Sequence, residues 1–408
     1  MSFPQQLNDS LPVVMVVLGT RPEAIKLVPV IRELQRHGDS LRTVVVSTGQ
    51  HREMLDQVTT PFNVRVDYDM SLMEPGQTLY KLSSNAILAF EDVLQRLRPN
   101  LLIVQGDTTT AFIGALAAYY AKVPIAHVEA GLRTNNKHFP FPEEINRRLI
   151  SVTSDLHFAP TNTNRRNLLC EGIPANQIFV TGNTAIDMLL SSLELNRKPS
   201  HPLPAWDGKR LVLVTVHRRE VFGHEIREIF CALRDLAELV PDLVIFFPVH
   251  LNPQVRKPAQ EILGSSTNVL LTEPLDYISF VHVMARADMI LTDSGGIQEE
   301  APTLGVRVLV LRRETERPEG LATGLIQLAG TDRRSIVEHA MRSLAATPVA
   351  KDRTGNNPYG DGKASARIAK NVLHFLGVSD RGLYDELAEF GSDAALAAEV
   401  PASEPAVS

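Results

Sequence analysis

An α/β chain of two Rossmann-like, doubly wound domains facing a central cleft is what this sequence predicts. Short apolar runs rich in β-formers alternate with amphipathic helical patterns, the signature of a parallel sheet covered by helices. The alternation occurs twice, and 408 residues leave room for two cores. Between the two series lies the polar stretch 196–209, with Pro199, Pro202 and Pro204, which continues neither period and reads as an interdomain linker.

In the first domain, residues 1–195, strands are expected at 13–18, 43–48, 101–105, 124–129, 156–159 and 178–181, with helices starting near 21, 78, 109, 143, 163 and 184. In the second, residues 210–363, strands are expected at 211–216, 243–248, 268–272, 289–292, 307–311 and 325–328, again with helices between. A C-terminal helical segment at 364–391 is expected to pack back on the first domain. Residues 392–408, rich in Ala, Ser, Glu and Pro without an apolar stripe, read as a disordered acidic tail. Ligands of such sheets bind at their carboxyl ends, so the cleft is where function is sought.

A formal net charge of −6 argues against a general nucleic-acid binder. Cys170 and Cys231 stand far apart and outside any metal-ligand spacing, which indicates neither a disulfide framework nor a metal site. The N-terminus lacks a basic region followed by an apolar one, and no stretch approaches the ~20 apolar residues that span a bilayer. These features predict a cytoplasmic protein with a small ligand and no membrane partner.

The segment Asp293-Ser294-Gly295-Gly296-Ile297-Gln298-Glu299-Glu300 follows the apolar run Met289-Ile290-Leu291. A strand, a glycine turn and a helix start make an anion site, because glycines admit a ligand close to the backbone and the first N–H groups point at it. A diphosphate fits there, and Glu300 can accept from ribose hydroxyls. The same residues also read as an N-cap and turn.

Gly19-Thr20-Arg21-Pro22-Glu23 has capping-box spacing, which explains Thr20 and Glu23 but not Arg21 or Lys26. Those two cations are either surface residues or phosphate ligands. Asp107 and Glu129 each end a strand. Asp107 reads as a cap or an acid, whereas a charge closing the buried run before Glu129 needs a partner or a role. Glu143 starts a helix with Glu144, either for the dipole or as a third acid. His217 and Arg218 follow the strand at 211–216, His250 follows the one at 243–248, and Arg317 lies in the loop after 307–311. His217 is placed to contact phosphate, and His250 is either a second contact or a satisfied buried imidazole.

Taken together, GTRPEAIKLVPV (19–30), TGQHREMLDQV (48–58), GDTTTAF (106–112), HVEAGLRT (127–134), PEEINRR (142–148), TGNTAID (181–187), HRRE (217–220), PVHLNP (248–253), LTDSGGIQEEAP (291–302) and NPYGDG (357–362) resemble the non-hydrolysing UDP-N-acetylglucosamine 2-epimerases. The similarity runs over almost all of residues 13–376 in matching order and spacing. It implies a GT-B-like pair of Rossmann-type domains, a cytosolic homodimer, and interconversion of UDP-GlcNAc and UDP-ManNAc that feeds bacterial surface-polysaccharide synthesis. No redox cofactor is then needed. The C2 proton of the sugar is not acidified by an adjacent carbonyl, so expelling UDP from C1 to give a 2-acetamidoglucal replaces direct deprotonation.

By that resemblance Arg21, Lys26 and His217 stabilise the departing UDP, and Asp107, Glu129 and Glu143 manage the C2 proton. Ser294, Gly295, Gly296, Glu300 and Arg317 match positions that hold the nucleotide, while Phe280 and the backbone at Leu275 border the uracil. Leu275 stands where some members carry glutamine. A second, activating UDP-GlcNAc is implied near Gln50, Arg218 and His250, where Glu53 and Gly76 replace the glutamine and arginine of some members. The alternatives are a 2-epimerase of a modified UDP-HexNAc such as a 2,3-diacetamido uronate, a hydrolysing epimerase, a GT-B glycosyltransferase and a non-catalytic nucleotide-sugar sensor. The intact HRRE argues against hydrolysis, and the three acids are not required by a transferase or a sensor.

Overall fold

A computed structural model describes residues 11–49, 52–72, 74, 76–195, 206, 208–346, 357–380 and 382–391. Gln50, most of the 196–209 linker and the 392–408 tail lie outside the described residues. By internal contacts the chain divides into two units. The first comprises the described residues of Met1–Leu55, Asn63–Thr184 and Lys363–Ser408, and the second those of Asp56–Phe62 and Ala185–Gly362.

The elements up to the linker are β1 (Val13–Leu18), α1 (Arg21–Gln35), β2 (Arg42–Ser47), α2 (Arg52–Thr59), β3 (Tyr68–Asp69), α3 (Leu79–Leu97), β4 (Leu101–Gln105), α4 (Thr109–Tyr120), β5 (Ile125–Val128), α5 (Glu143–Thr153), β6 (Leu156–Ala159), α6 (Asn162–Cys170), β7 (Ile178–Val180) and α7 (Thr184–Glu194). They are followed by β8 (Arg210–Thr215), α8 (His224–Leu239), β9 (Leu243–Pro248), α9 (Pro253–Leu263), β10 (Val269–Thr272), α10 (Tyr277–Arg286), β11 (Met289–Thr292), α11 (Gly295–Glu300), β12 (Arg307–Val310), α12 (Pro318–Leu321), β13 (Ile326–Leu328), α13 (Arg333–Ala345) and α14 (Ala364–Phe375).

The strands lack polar alternation because helices cover both faces of each sheet; β1, VVMVVL, is buried along its whole length. The first sheet has the order β3-β2-β1-β4-β5-β6-β7 and the second β10-β9-β8-β11-β12-β13, every described pairing being parallel. Both orders reverse direction once, at β1/β4 and at β8/β11. Crevices at such switch points are where doubly wound sheets bind ligands. In the first unit Phe90 of α3 is fully buried and meets Gly114 of α4, where an added Cβ would stand 3.0 Å from its ring. A buried phenylalanine contributes roughly 1.5–3 kcal/mol through area removed from water.

Three details depart from the sequence expectation. The two-residue β3 is too short to show a period and exists through its pairing with β2. Among its described side chains helix α2 buries Leu55, Val58 and Thr59, again a stripe below what periodicity detects. The expected helical segment 364–391 is helical only to Phe375, and residues 382–391 form turns and irregular chain. That chain belongs to the first unit: Phe390 N donates to Val180 O at 3.0 Å, and the Tyr384 hydroxyl donates to Glu33 at 2.6 Å.

Candidate functional site

The first unit gathers its acids around the β1/β4 switch point. Thr108, not Asp107, caps α4, accepting from Ala111 N at 3.0 Å. The cap reading of Asp107 therefore fails, and its carboxylate instead takes a hydrogen bond from the buried Arg147 guanidinium. Asn146 of the same helix donates to the Asp107 carbonyl at 2.9 Å, which fixes the turn from below. Burial raises the Asp107 carboxyl above its ordinary range; Arg147 opposes that, and the Glu129 charge adds to it.

Glu129 sits at the end of β5 with φ +65°, left-handed backbone that a non-glycine residue adopts at a cost of order 1–3 kcal/mol. Its side chain is held on several sides. Lys26 and Gln105 donate to its two oxygens, and Asn183 lies 3.4 Å away as a third donor. Such over-determination is what lets strained backbone persist. The sequence reading sent Lys26 toward phosphate; the structure pairs its ammonium with Glu129.

Glu143 is the first residue of α5, one turn before Asn146 and Arg147, so it shares the helix face that meets Asp107. Its Oε2 is buried and has no hydrogen-bond partner among the described residues. Its neighbour Glu144 is a tie instead, accepting from Thr134 N at 3.0 Å and Asn135 N at 3.1 Å. Arg21 is the first, half-buried residue of α1. Glu23 closes the expected capping box and also accepts from the Thr108 hydroxyl at 2.8 Å, bridging the switch point. Burial pushes it up to about 7 against hydrogen bonds from Thr20 and Thr108. His127 is pushed down to about 3 by burial, so the neutral ring donates from Nε2 to the Gly106 carbonyl at 2.8 Å and steadies the Asp107 turn.

In the second unit Asp293, with no exposed surface, ends β11, and its Oδ2 accepts from the backbone N–H of His217 and Arg218, both at 2.8 Å. The exposed His217 ring stacks on that of His250, with centroids 5.9 Å apart and planes 24° from parallel. His250 is therefore an exposed partner of His217 and not a buried imidazole. Its pKa lies below the ordinary histidine value, first through desolvation and then through His217. The Arg218 side chain lies 3.6 Å from Glu220 and 3.8 Å from Glu316.

Ser294 occupies the N-cap position of α11 without a side-chain capping hydrogen bond, and the helix's six residues give way to a 3-10 turn at Ala301–Leu304. Arg317 lies directly over Gly295: an added Cβ there would come 2.5 Å from its Cζ, so only glycine leaves room for the guanidinium, which donates to Glu299 at 2.7 Å. Gly296 has open space beside it. Glu300 is buried, with the Tyr277 hydroxyl at 3.4 Å. Leu275 is buried, and Phe280 is partly buried on α10.

The sequence reading gave no role to Gln105, Asn183, Arg147, Asp293 or Tyr277. Asp293 carried a usable signal: like Glu129, it is a charge closing an apolar strand. Among the described residues no cluster of three or more His, Cys, Asp and Glu side chains could hold a metal ion. None of the described helices is long and apolar enough to cross a membrane.

The family pattern described as UDP-N-acetylglucosamine 2-epimerase matches residues 32–373. A UDP-N-acetylglucosamine 2-epimerase of Neisseria meningitidis is 47% identical over 369 residues, spanning 88% of this chain and 99% of that protein. One from Bacillus subtilis is 46% identical over 366 residues, spanning 89% and 96%. A crystal structure of UDP-GlcNAc 2-epimerase from Neisseria meningitidis bound to UDP-GlcNAc superposes with a TM-score of 0.82 at 46% identity, covering 89% of this chain and all of that one.

Proposed function

This chain belongs to the non-hydrolysing UDP-N-acetylglucosamine 2-epimerases and is an isomerase; we propose that it interconverts UDP-GlcNAc and UDP-ManNAc by eliminating UDP and adding it back. A carboxylate removes the proton from C2, the C1–O bond breaks, and UDP leaves with the bonding pair, giving a 2-acetamidoglucal. A proton then returns to the opposite face of C2, and the UDP oxygen attacks C1. Electrons balance without a redox partner.

The observation that carries this reading is the carboxylate cluster of the first unit. Asp107, raised by burial and held by Arg147, and Glu129, held beside Lys26, are two acids in unlike surroundings at one switch point. Different environments for two carboxylates are what removal and return of a proton require. Glu143, on the α5 face turned to Asp107 and with a buried oxygen that has no hydrogen bond among the described residues, is the third candidate. We assign UDP to Ser294, Gly295, Gly296, Glu300 and Arg317, with Phe280 and the Leu275 backbone at the uracil, and the departing diphosphate to His217 and Arg21. A site for a second UDP-GlcNAc at Gln50, Arg218 and His250 belongs to the same reading. Incubation with UDP-GlcNAc and with 2,3-diacetamido uronate analogues, read by NMR, tests it; free ManNAc or an unchanged UDP-GlcNAc spectrum contradicts it.

We place the protein in the cytosol as a homodimer that supplies surface-polysaccharide synthesis. Supporting the dimer, α3, α4 and α5 leave Leu88, Tyr119, Tyr120, Leu149 and Val152 exposed, and a cavity of about 870 Å³ opens between α3 and α4. Contiguous exposed apolar surface marks an interaction site. Tyr120→Glu should give monomers by sedimentation equilibrium; an unchanged mass rejects this face.

A further inference from the structure

The mechanism above leaves Asp293 without a task. Its Oδ2 is satisfied by the two backbone N–H groups of the 217–218 turn, whereas its Oδ1, equally buried, has no hydrogen bond among the described residues. Leaving a buried acceptor unsatisfied is unfavourable, so a purely structural loop tie explains only half of this carboxylate. The group within reach of Oδ1 is His217 Nδ1, 3.3 Å away, which a small turn of the half-exposed ring brings into hydrogen-bond geometry. Asp293 N donates to Thr215 O at 3.2 Å, and the Thr215 and Thr292 hydroxyls meet at 2.5 Å. The carboxylate therefore spans the β8/β11 switch point on a braced base.

We propose that Asp293 is a positioning residue for His217: it accepts a hydrogen bond from Nδ1–H, leaves Nε2 for the departing diphosphate, and balances the charge on the ring when Nε2–H donates to a phosphate oxygen. This rests on the reading that His217 faces the diphosphate. Asp293 also immediately precedes Ser294-Gly295-Gly296, so one side chain sets the leaving-group histidine against the turn assigned to the nucleotide.

Asp293→Asn separates the two halves of the carboxylate. The amide oxygen still accepts from the two backbone N–H groups, but the NH2 group at the Oδ1 position cannot accept from Nδ1. Turnover should fall about 10²-fold, the scale of one lost electrostatic contact to developing charge, with KM changed less than about 3-fold. His217→Gln should be slow to a similar degree, and the double variant no slower than His217→Gln alone. Long-range 1H–15N spectra with UDP bound should show His217 protonated at Nδ1 in the wild type, and that signal lost in Asp293→Asn. Losses that multiply in the double variant, or an Asp293→Asn enzyme with wild-type turnover, would overturn the role of Asp293 while leaving His217 in place. Wild-type turnover in His217→Gln would remove the reading of His217 and this proposal with it.

Discussion

The Lys26 ammonium is paired with the Glu129 carboxylate, two side chains 103 positions apart that meet at the carboxyl edge of the first sheet. Glu129 already occupies left-handed backbone, so the pair is part of what holds an unfavourable conformation in place. The pair also acts on a second carboxylate, since Glu129 raises the Asp107 carboxyl and Lys26 lowers it. The sequence alone offers Lys26 as a phosphate ligand; the fold makes it first the companion of an acid.

Lys26→Ala should accordingly slow turnover by about 10²-fold, the range for disturbing a positioned acid or base, while UDP affinity changes little. Calorimetry with UDP beside steady-state rates decides this. A large loss of UDP affinity with unchanged kcat would return Lys26 to the diphosphate.

Glu129→Gln and Asp107→Asn should each lower kcat by about 10²-fold or more, with UDP binding kept in Glu129→Gln. If either variant turns over at near wild-type rate, that carboxylate is only a structural partner of Lys26 or Arg147.

The strands were legible because burial on both faces makes continuous apolar runs, and the start of α1 because the capping-box spacing of Thr20 and Glu23 announces it. What was not legible depends on partners distant in sequence. Nothing local tells Glu143 from Glu144, yet the fold makes Glu144 a tie for the 134–135 backbone and leaves an oxygen of Glu143 without a hydrogen bond among the described residues. Nor could the chain say that Thr108 rather than Asp107 caps α4, because the deciding contact is Arg147, 40 positions away. Asp293 was overlooked because the glycines beside it explained the motif without it.

Glu23 gives a pH signature. Burial raises it from 4.5 to about 7 in the fold, so folding favours the protonated form. Its contribution to stability is fully present below about pH 4.5 and is lost as pH rises through about 7, on the order of 3 kcal/mol in all. Glu23→Gln cannot titrate and should flatten that part of the curve. Melting temperatures of wild type and variant from pH 4 to 8 check it; parallel curves would show that Glu23 does not titrate in this window.

The elimination route is tested most directly by running the reaction in deuterium oxide without added NAD and reading C2 by NMR. Proton removal to solvent-exchanging carboxylates predicts deuterium at C2 in UDP-ManNAc and, as the reaction reverses, in the recovered UDP-GlcNAc. Epimerised product that keeps protium at C2 would contradict the account, because the proton would then never have passed through Asp107, Glu129 or Glu143.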